Sequence, residues 1–177
     1  MNIINDKVLN NNNLILNKLI FCLPFAFIIH NTEEAMTMEA WLQSNSFLSN
    51  YHMVTTKQFS IAVFLFSVLG LLVVFLKRYY KDEKTYYFVI AAFCGILLLN
   101  VFFPHLLATI IFKKYASGVV SAVLINLPLT LTILFLLKKT NKLTQRQIII
   151  AIAMGGVSGI ILAFNFLKIG HYFEATL

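Results

Sequence analysis

Phe88-Val89-Ile90-Ala91-Ala92-Phe93-Cys94-Gly95-Ile96-Leu97-Leu98-Leu99-Asn100-Val101-Phe102-Phe103-Pro104-His105-Leu106-Leu107-Ala108-Thr109-Ile110-Ile111-Phe112 runs without an Asp, Glu, Lys or Arg. That exceeds the ~20 apolar residues that carry a helix through a bilayer. In lipid every backbone N–H and C=O must bond within its own segment, so the stretch is a helix. Four further apolar runs flank it. The chain therefore reads as an all-α, polytopic membrane helical bundle of about five transmembrane helices. The spans fall at about 13–31, 58–76, 86–112, 115–137 and 147–167, within one membrane domain over 1–177 that opens with a polar lead-in at 1–12. The third span is longer than a bilayer needs, so it tilts, kinks or protrudes.

Composition agrees. Of 177 residues, 59% are hydrophobic and 12% charged, too little polar surface to cover a soluble domain of this size. The net charge of +7 does not point to nucleic acid, because the twelve Lys and two Arg sit at the ends of apolar runs rather than in a patch with aromatics between them. Lys77, Arg78, Lys81 and Lys84 join spans two and three, and Lys138, Lys139, Lys142 and Arg146 join spans four and five. By the positive-inside tendency the N-terminus is cytoplasmic and the C-terminus external, with Lys113 and Lys114 discordant. Asp6 and Lys7 precede the first run without a basic n-region, and no small-residue cleavage site follows it, so no secretory leader is expected. Cys22 and Cys94 both lie in spans and are expected as free thiols. The Asn run at 10–13 is expected as a disordered or capping lead-in. Trp41 and Tyr51 suit anchors at headgroup level, and His52 a surface position.

Ionisable groups in spans are expensive and mark function. His30-Asn31-Thr32-Glu33-Glu34 closes the first apolar run, and good helix formers after it predict that helix one continues past Glu34. Glu33 and Glu34, three and four residues beyond His30, share a face with it within one turn. An imidazole and a carboxylate at that spacing can bind a metal, leaving the second carboxylate as a base, the logic of zinc-binding helices with different letters. In span three, Asn100 and His105 are about 140° apart on a straight helix and would not share a partner. Pro104 lies between them and opposes the carbonyl of Asn100, so a kink or unwound turn there would direct both into one cavity. His30, His105 and His171, with Glu33, Glu34 and Glu174, all fall toward the external end. Gly155 and Gly159 form a small-xxx-small packing face, and Gly118 and Ala122 repeat the spacing in span four. Pro24 and Pro128 are expected to kink their helices.

His30-Asn31-Thr32-Glu33-Glu34 together with Asn100-Val101-Phe102-Phe103-Pro104-His105 resembles the HXXEE-motif family of small integral membrane proteins, which pairs His-x-x-Glu-Glu in its first span with a later Asn-x-x-x-x-His. Tyr115-Ala116-Ser117-Gly118 followed by Ser121 is similar to the family's Tyr-x-Pro-Gly-x-x-Thr, departing at Ser117 and Ser121. The resemblance covers about residues 15 to 170. It implies an enzymatic or metal-binding membrane protein and supplies no reaction.

Three functions fit these residues. The first is a metal-dependent hydrolase acting on a lipid or amphiphile at the external boundary, with His30, Glu34 and His105 as ligands of a divalent metal, zinc foremost or iron, and Glu33 and Asn100 as catalytic groups. The second is metal-free proton transfer by His and Glu, as in an isomerase of lipophilic substrates resembling the emopamil-binding sterol isomerases. The third is a carrier, ion pathway or partner-binding subunit, for which buried titratable groups are equally expected. Neither the oligomeric state nor the role of His171 and Glu174 is legible.

Overall fold

Five long apolar helices make up the structure, a computed structural model that describes residues 2–44 and 54–176, with side chains from Lys7 onward. Tyr51 and His52 lie outside the described residues. Helix α1 spans Asn2–Gln43 and α2 Thr56–Phe75. Helix α3 spans Glu83–Phe112, α4 Val119–Lys139 and α5 Gln145–Thr176. There is no strand among the described residues. Thr55 caps α2 by accepting from the amide of Gln58, and Asp82 caps α3 by accepting from that of Thr85 at 2.7 Å. That bond holds the exposed Asp82 carboxyl below its ordinary pKa.

Two expected boundaries change. The polar lead-in is helical from Asn2 through the Asn run, because extending a helix already nucleated by the apolar segment adds one hydrogen bond per residue fixed. The fourth span begins at Val119 instead of Tyr115, because Gly118 has φ +79° and Lys113 φ 51°, left-handed values that end one helix and delay the next. Pro24 sits inside α1, which continues through it.

The helices close a ring. α1 packs on α2 and α4, α2 on α5, α5 on α3, and α3 on α4. Leu16, Leu23, Phe27, Ile90, Cys94, Leu97, Ile133 and Leu137 fill the middle. Phe21, Phe64, Leu124, Phe135 and Phe164 point outward, as an acyl-chain environment favours. Asn31 ties α1 to α2, donating to the Val63 carbonyl and to Ser67 Oγ.

The α3–α5 seam is the tightest. A Cβ added at Gly155 would stand 1.9 Å from the Ala92 carbonyl oxygen, and one at Gly95 would stand 2.5 Å from that of Ile152. Without side chains at these positions the backbones touch, the way helices associate where lipid removes any hydrophobic drive. Beside the seam, Gly156 has only Leu99 Cδ2 at 3.7 Å. Gly155→Ala should therefore destabilise the purified protein by ~1–3 kcal/mol, the range for overpacking a filled core. Gly156→Ala should leave the thermal midpoint near wild type. Equal midpoints for the two variants would show that the seam is not the close contact described.

Candidate functional site

α3 carries His105 toward α1 by breaking its own ladder. Val101–Leu106 forms a widened π-type turn, and Phe103 inside it has φ −136° and ψ 115°, outside the helical region. Proline at 104 offers no N–H and crowds the carbonyl of Asn100, so the ladder cannot close there. The Phe103–Pro104 peptide is cis. The break lets Asn100 and His105 face one partner despite their five-residue spacing. α1 supplies the other side, with His30 and Glu34 one turn apart.

These residues meet. The His30 and His105 rings lie edge to face, centroids 4.8 Å apart. His105 Nε2 is 3.2 Å from Glu34 Oε1, and His30 Nε2 is 3.7 Å from Glu34 Oε2. His30, His105 and Glu34 are all buried, at 0%, 1% and 7% exposure, so the carboxylate lies between two imidazoles inside the bundle. Asn100 Nδ2 donates to His30 Nε2 at 2.7 Å. Of the residues expected in the site, His30, Glu34, Asn100 and His105 converge.

Glu33 and His171 do not join them. Glu33 turns toward the start of α4, where its carboxylate accepts from the Ser121 amide at 2.8 Å, the Val120 amide at 3.3 Å, Tyr115 OH at 2.7 Å and the Ser121 hydroxyl. It is an N-terminal cap supplied by another helix, where free amides and the helix dipole favour an anion. A base freely facing the three ligands has a different geometry from this. His171 is exposed on α5, and Glu174 accepts from Thr55 Oγ1 at 2.7 Å, a tie between α5 and α2.

Ser121 and Gly118 complete the site and were not among the residues expected to act in it. The hydroxyl hydrogen of Ser121 goes to Glu33, so its oxygen accepts from His30 Nδ1–H at 3.0 Å. This fixes the His30 tautomer. Nδ1 carries the hydrogen, and the Nε2 lone pair accepts from Asn100, with Glu34 Oε2 3.7 Å away. Gly118 lies flat against the three side chains. A Cβ there would be 2.6 Å from Glu34 Cγ, 2.7 Å from His105 Cε1 and 3.0 Å from His30 Cε1. The helix-packing role expected of Gly118 is thus replaced by closure over the site. Ser117 fastens the same loop, donating to the Glu34 carbonyl and sharing a hydrogen bond with Thr37.

The donor set fits a divalent ion. One ligand atom from each of His30, Glu34 and His105 lies within 4.8 Å of the others. His105 Nε2 is buried and too poorly aligned with Glu34 to hydrogen-bond, and an orphaned nitrogen of that kind needs a partner. His30 hands its other nitrogen to a second group, as metal-bound histidines do.

An apolar cavity of about 320 Å³ reaches this wall. It is a half-open hollow lined by α1, α2, α3 and α5, with exposed Ile160 and Phe164 at its mouth, and Glu34, Asn100 and Asn31 are its polar side chains.

Residues 21–133 match the family model described as "Protein of unknown function with HXXEE motif". The chain belongs to that family. It is 30% identical over 150 residues, 85% of this chain and 92% of the other, to "Uncharacterized protein YrkK" of Bacillus subtilis (strain 168). No solved structure matches it.

Gly118→Ala should be among the most damaging small changes, since the left-handed φ and the three contacts both oppose a Cβ. A loss of ~1–3 kcal/mol is expected from the backbone alone, before any displacement of the site. A denaturation midpoint within experimental error of wild type would refute the contact.

Proposed function

We propose that the protein is a metal-dependent membrane enzyme, a hydrolase of a lipid or amphiphilic substrate. The observation that carries this reading is the convergence of two imidazoles and one carboxylate in a buried group at the wall of an apolar cavity. His30, Glu34 and His105 would hold the ion. Three protein ligands leave a position open, which is the catalytic rather than the structural zinc arrangement. Zinc is the first choice, and iron is the second because two histidines and a carboxylate also form its facial set. When bound, such an ion supplies a Lewis acid and a water acidic enough to ionise near neutral pH.

The chain's own residues have distinct tasks. Ser121 holds His30 by Nδ1, and Glu33 holds Ser121, so the carboxylate that looked like a base in the sequence acts on the site through a hydroxyl. Asn100 lies beside both His30 and the cavity, placed to donate to a substrate carbonyl. The loop charges support a cytoplasmic N-terminus, which would set the site toward the external half of the bilayer.

A second reading rests on a different feature. Glu34 lies 3.2 Å from one imidazole and 3.7 Å from the other, a carboxylate–imidazole pairing that also suits an acid–base site working by proton transfer. A non-enzymatic carrier or partner-binding subunit is the remaining alternative.

Metal analysis separates these readings. Detergent-purified protein should carry about one equivalent of a transition metal, absent from His30→Ala and His105→Ala. Ser121→Ala should weaken binding roughly 10–100-fold, the usual effect of removing a group that orients a ligand, while Ser121→Thr retains it. Folded wild-type protein that takes up no zinc or iron would overturn the metal reading in favour of proton transfer or a non-enzymatic role.

A further inference from the structure

The cavity at the Glu34 wall has a composition that selects its occupant. Phe27, Phe66, Ile96, Phe164 and Leu167 are among its lining side chains, and no Lys or Arg is. Asn31 already spends its amide hydrogens on Val63 and Ser67, so the amide N–H left to a ligand is that of Asn100, beside the Glu34 carboxylate. Water has few partners in such a space. Closed apolar cavities of ~150 Å³ take up benzene, and this hollow, at about 320 Å³ and open between Ile160 and Phe164, has room for a longer chain. Hydrocarbon is the occupant that fits.

The cavity also has a direction. Met38, Phe59, Phe103, Pro104 and Leu167 line both it and a second apolar hollow of about 450 Å³ that extends toward Trp41 and Phe112. On the α5 side Gly159, Ile160 and Ala163 line it. The broken turn of α3 therefore forms the wall that the two hollows share. A charged headgroup lodged at Glu34 would have no lysine or arginine to balance it, and burying an uncompensated charge is costly.

We infer that the cavity binds the hydrocarbon chain of a neutral single-chain lipid, with the chain end against Gly159 and Ala163 and an acyl-ester carbonyl beside Glu34 and Asn100. This deepens the hydrolase reading and rests on it for the reaction, but not for the binding. If the ester is hydrolysed, water adds to the carbonyl carbon, the C–O bond to the alcohol breaks, and a fatty acid and a free alcohol leave. Apolar substrate thus enters from the membrane, and one product becomes ionisable beside Glu34, which favours its departure.

Binding is tested with a monoacylglycerol bearing a diazirine near the end of its acyl chain, photolysed with the protein in lipid nanodiscs and mapped by mass spectrometry. Crosslinks should concentrate on Gly159, Ala163 and Leu167 of α5 and on Ala62 and Phe66 of α2, which line the hollow without facing outward. Unlabelled monoacylglycerol should compete, and a lysophospholipid bearing a free phosphate should compete at least roughly tenfold less well, given the cost of a buried unpaired charge. Ala163→Phe should cut labelling by roughly tenfold, the affinity of about two displaced methylenes. Ala163→Leu should give a smaller loss and serves if the larger side chain prevents folding. Metal content is measured on the same samples. Labelling confined to lipid-facing positions, indifferent to both Ala163 variants, overturns the inference, as does equal competition by the anionic lipid. Metal-loaded protein that takes up no probe removes the cavity assignment alone, whereas metal-free protein that is labelled in the cavity removes the metal reading and leaves this one standing.

Discussion

A carboxylate buried inside a bundle of apolar helices is the constraint from which the rest of the site follows. Glu34 is 7% exposed, and an ionised group taken that far from water survives only if partners replace its hydration. α1 delivers one of them at no extra conformational cost, because His30 lies one turn earlier on the same face. The second must come from another helix. His105 arrives only because α3 gives up regular geometry between Asn100 and Leu107, and Gly118 closes the remaining side because any larger residue would strike all three side chains. A broken helix, a left-handed glycine and a histidine pair thus answer a single electrostatic demand.

The backbone irregularities meet in space as well. α4 has its own widened turn over Ala122–Asn126, just before Pro128, and this turn packs against the one in α3. Proline deprives each helix of a donor, and a widened turn accommodates the mismatch. Irregular backbone at membrane depth is tolerated only where it is buried in protein or lines a cavity. Both conditions hold here, since the α3 turn faces the apolar cavity and the triad while the α4 turn packs against α1 and α3. On the other side of the bundle the α3–α5 seam is regular and tight, so the irregular part of α3 is confined to the end that carries Asn100 and His105.

Much of this was legible in the chain. Five apolar runs specified five helices, and the two polar motifs specified which residues needed company, because a polar side chain in a span has few alternatives. Pro104 disclosed the break in α3 through sterics alone. What the letters did not disclose was who would cross the gap to meet α1. Ser121 and Gly118 look like ordinary residues at a helix start, and their roles depend on a loop whose path is set by tertiary contacts with Glu33, Thr37 and the Glu34 carbonyl. The signal that was present, a glycine followed three residues later by a hydroxyl, carries no partner in its spacing. The Asn run was misjudged for a related reason. Intrinsic propensity describes residues in isolation, whereas a run attached to a stable helix is extended cooperatively.

The two adjacent glutamates show how neighbouring identical residues come to do different work. Successive side chains on a helix diverge by about 100°, so Glu33 and Glu34 cannot face the same cavity. Glu34 turns to the imidazoles and to the cavity, where its charge is available to a ligand. Glu33 turns to α4, where two amides and two hydroxyls consume its lone pairs and the helix N-terminus favours its charge by ~0.3–1 kcal/mol or more when partly buried. One carboxylate therefore lines the hollow while the other is consumed in capping α4. By capping α4, Glu33 fixes Ser121, Ser121 fixes the tautomer of His30, and the capped start of α4 keeps Gly118 pressed against the site. Removing the Glu33 charge would act on His30 and on the closure together, through the chain of hydrogen bonds and not through contact with whatever Glu34 holds.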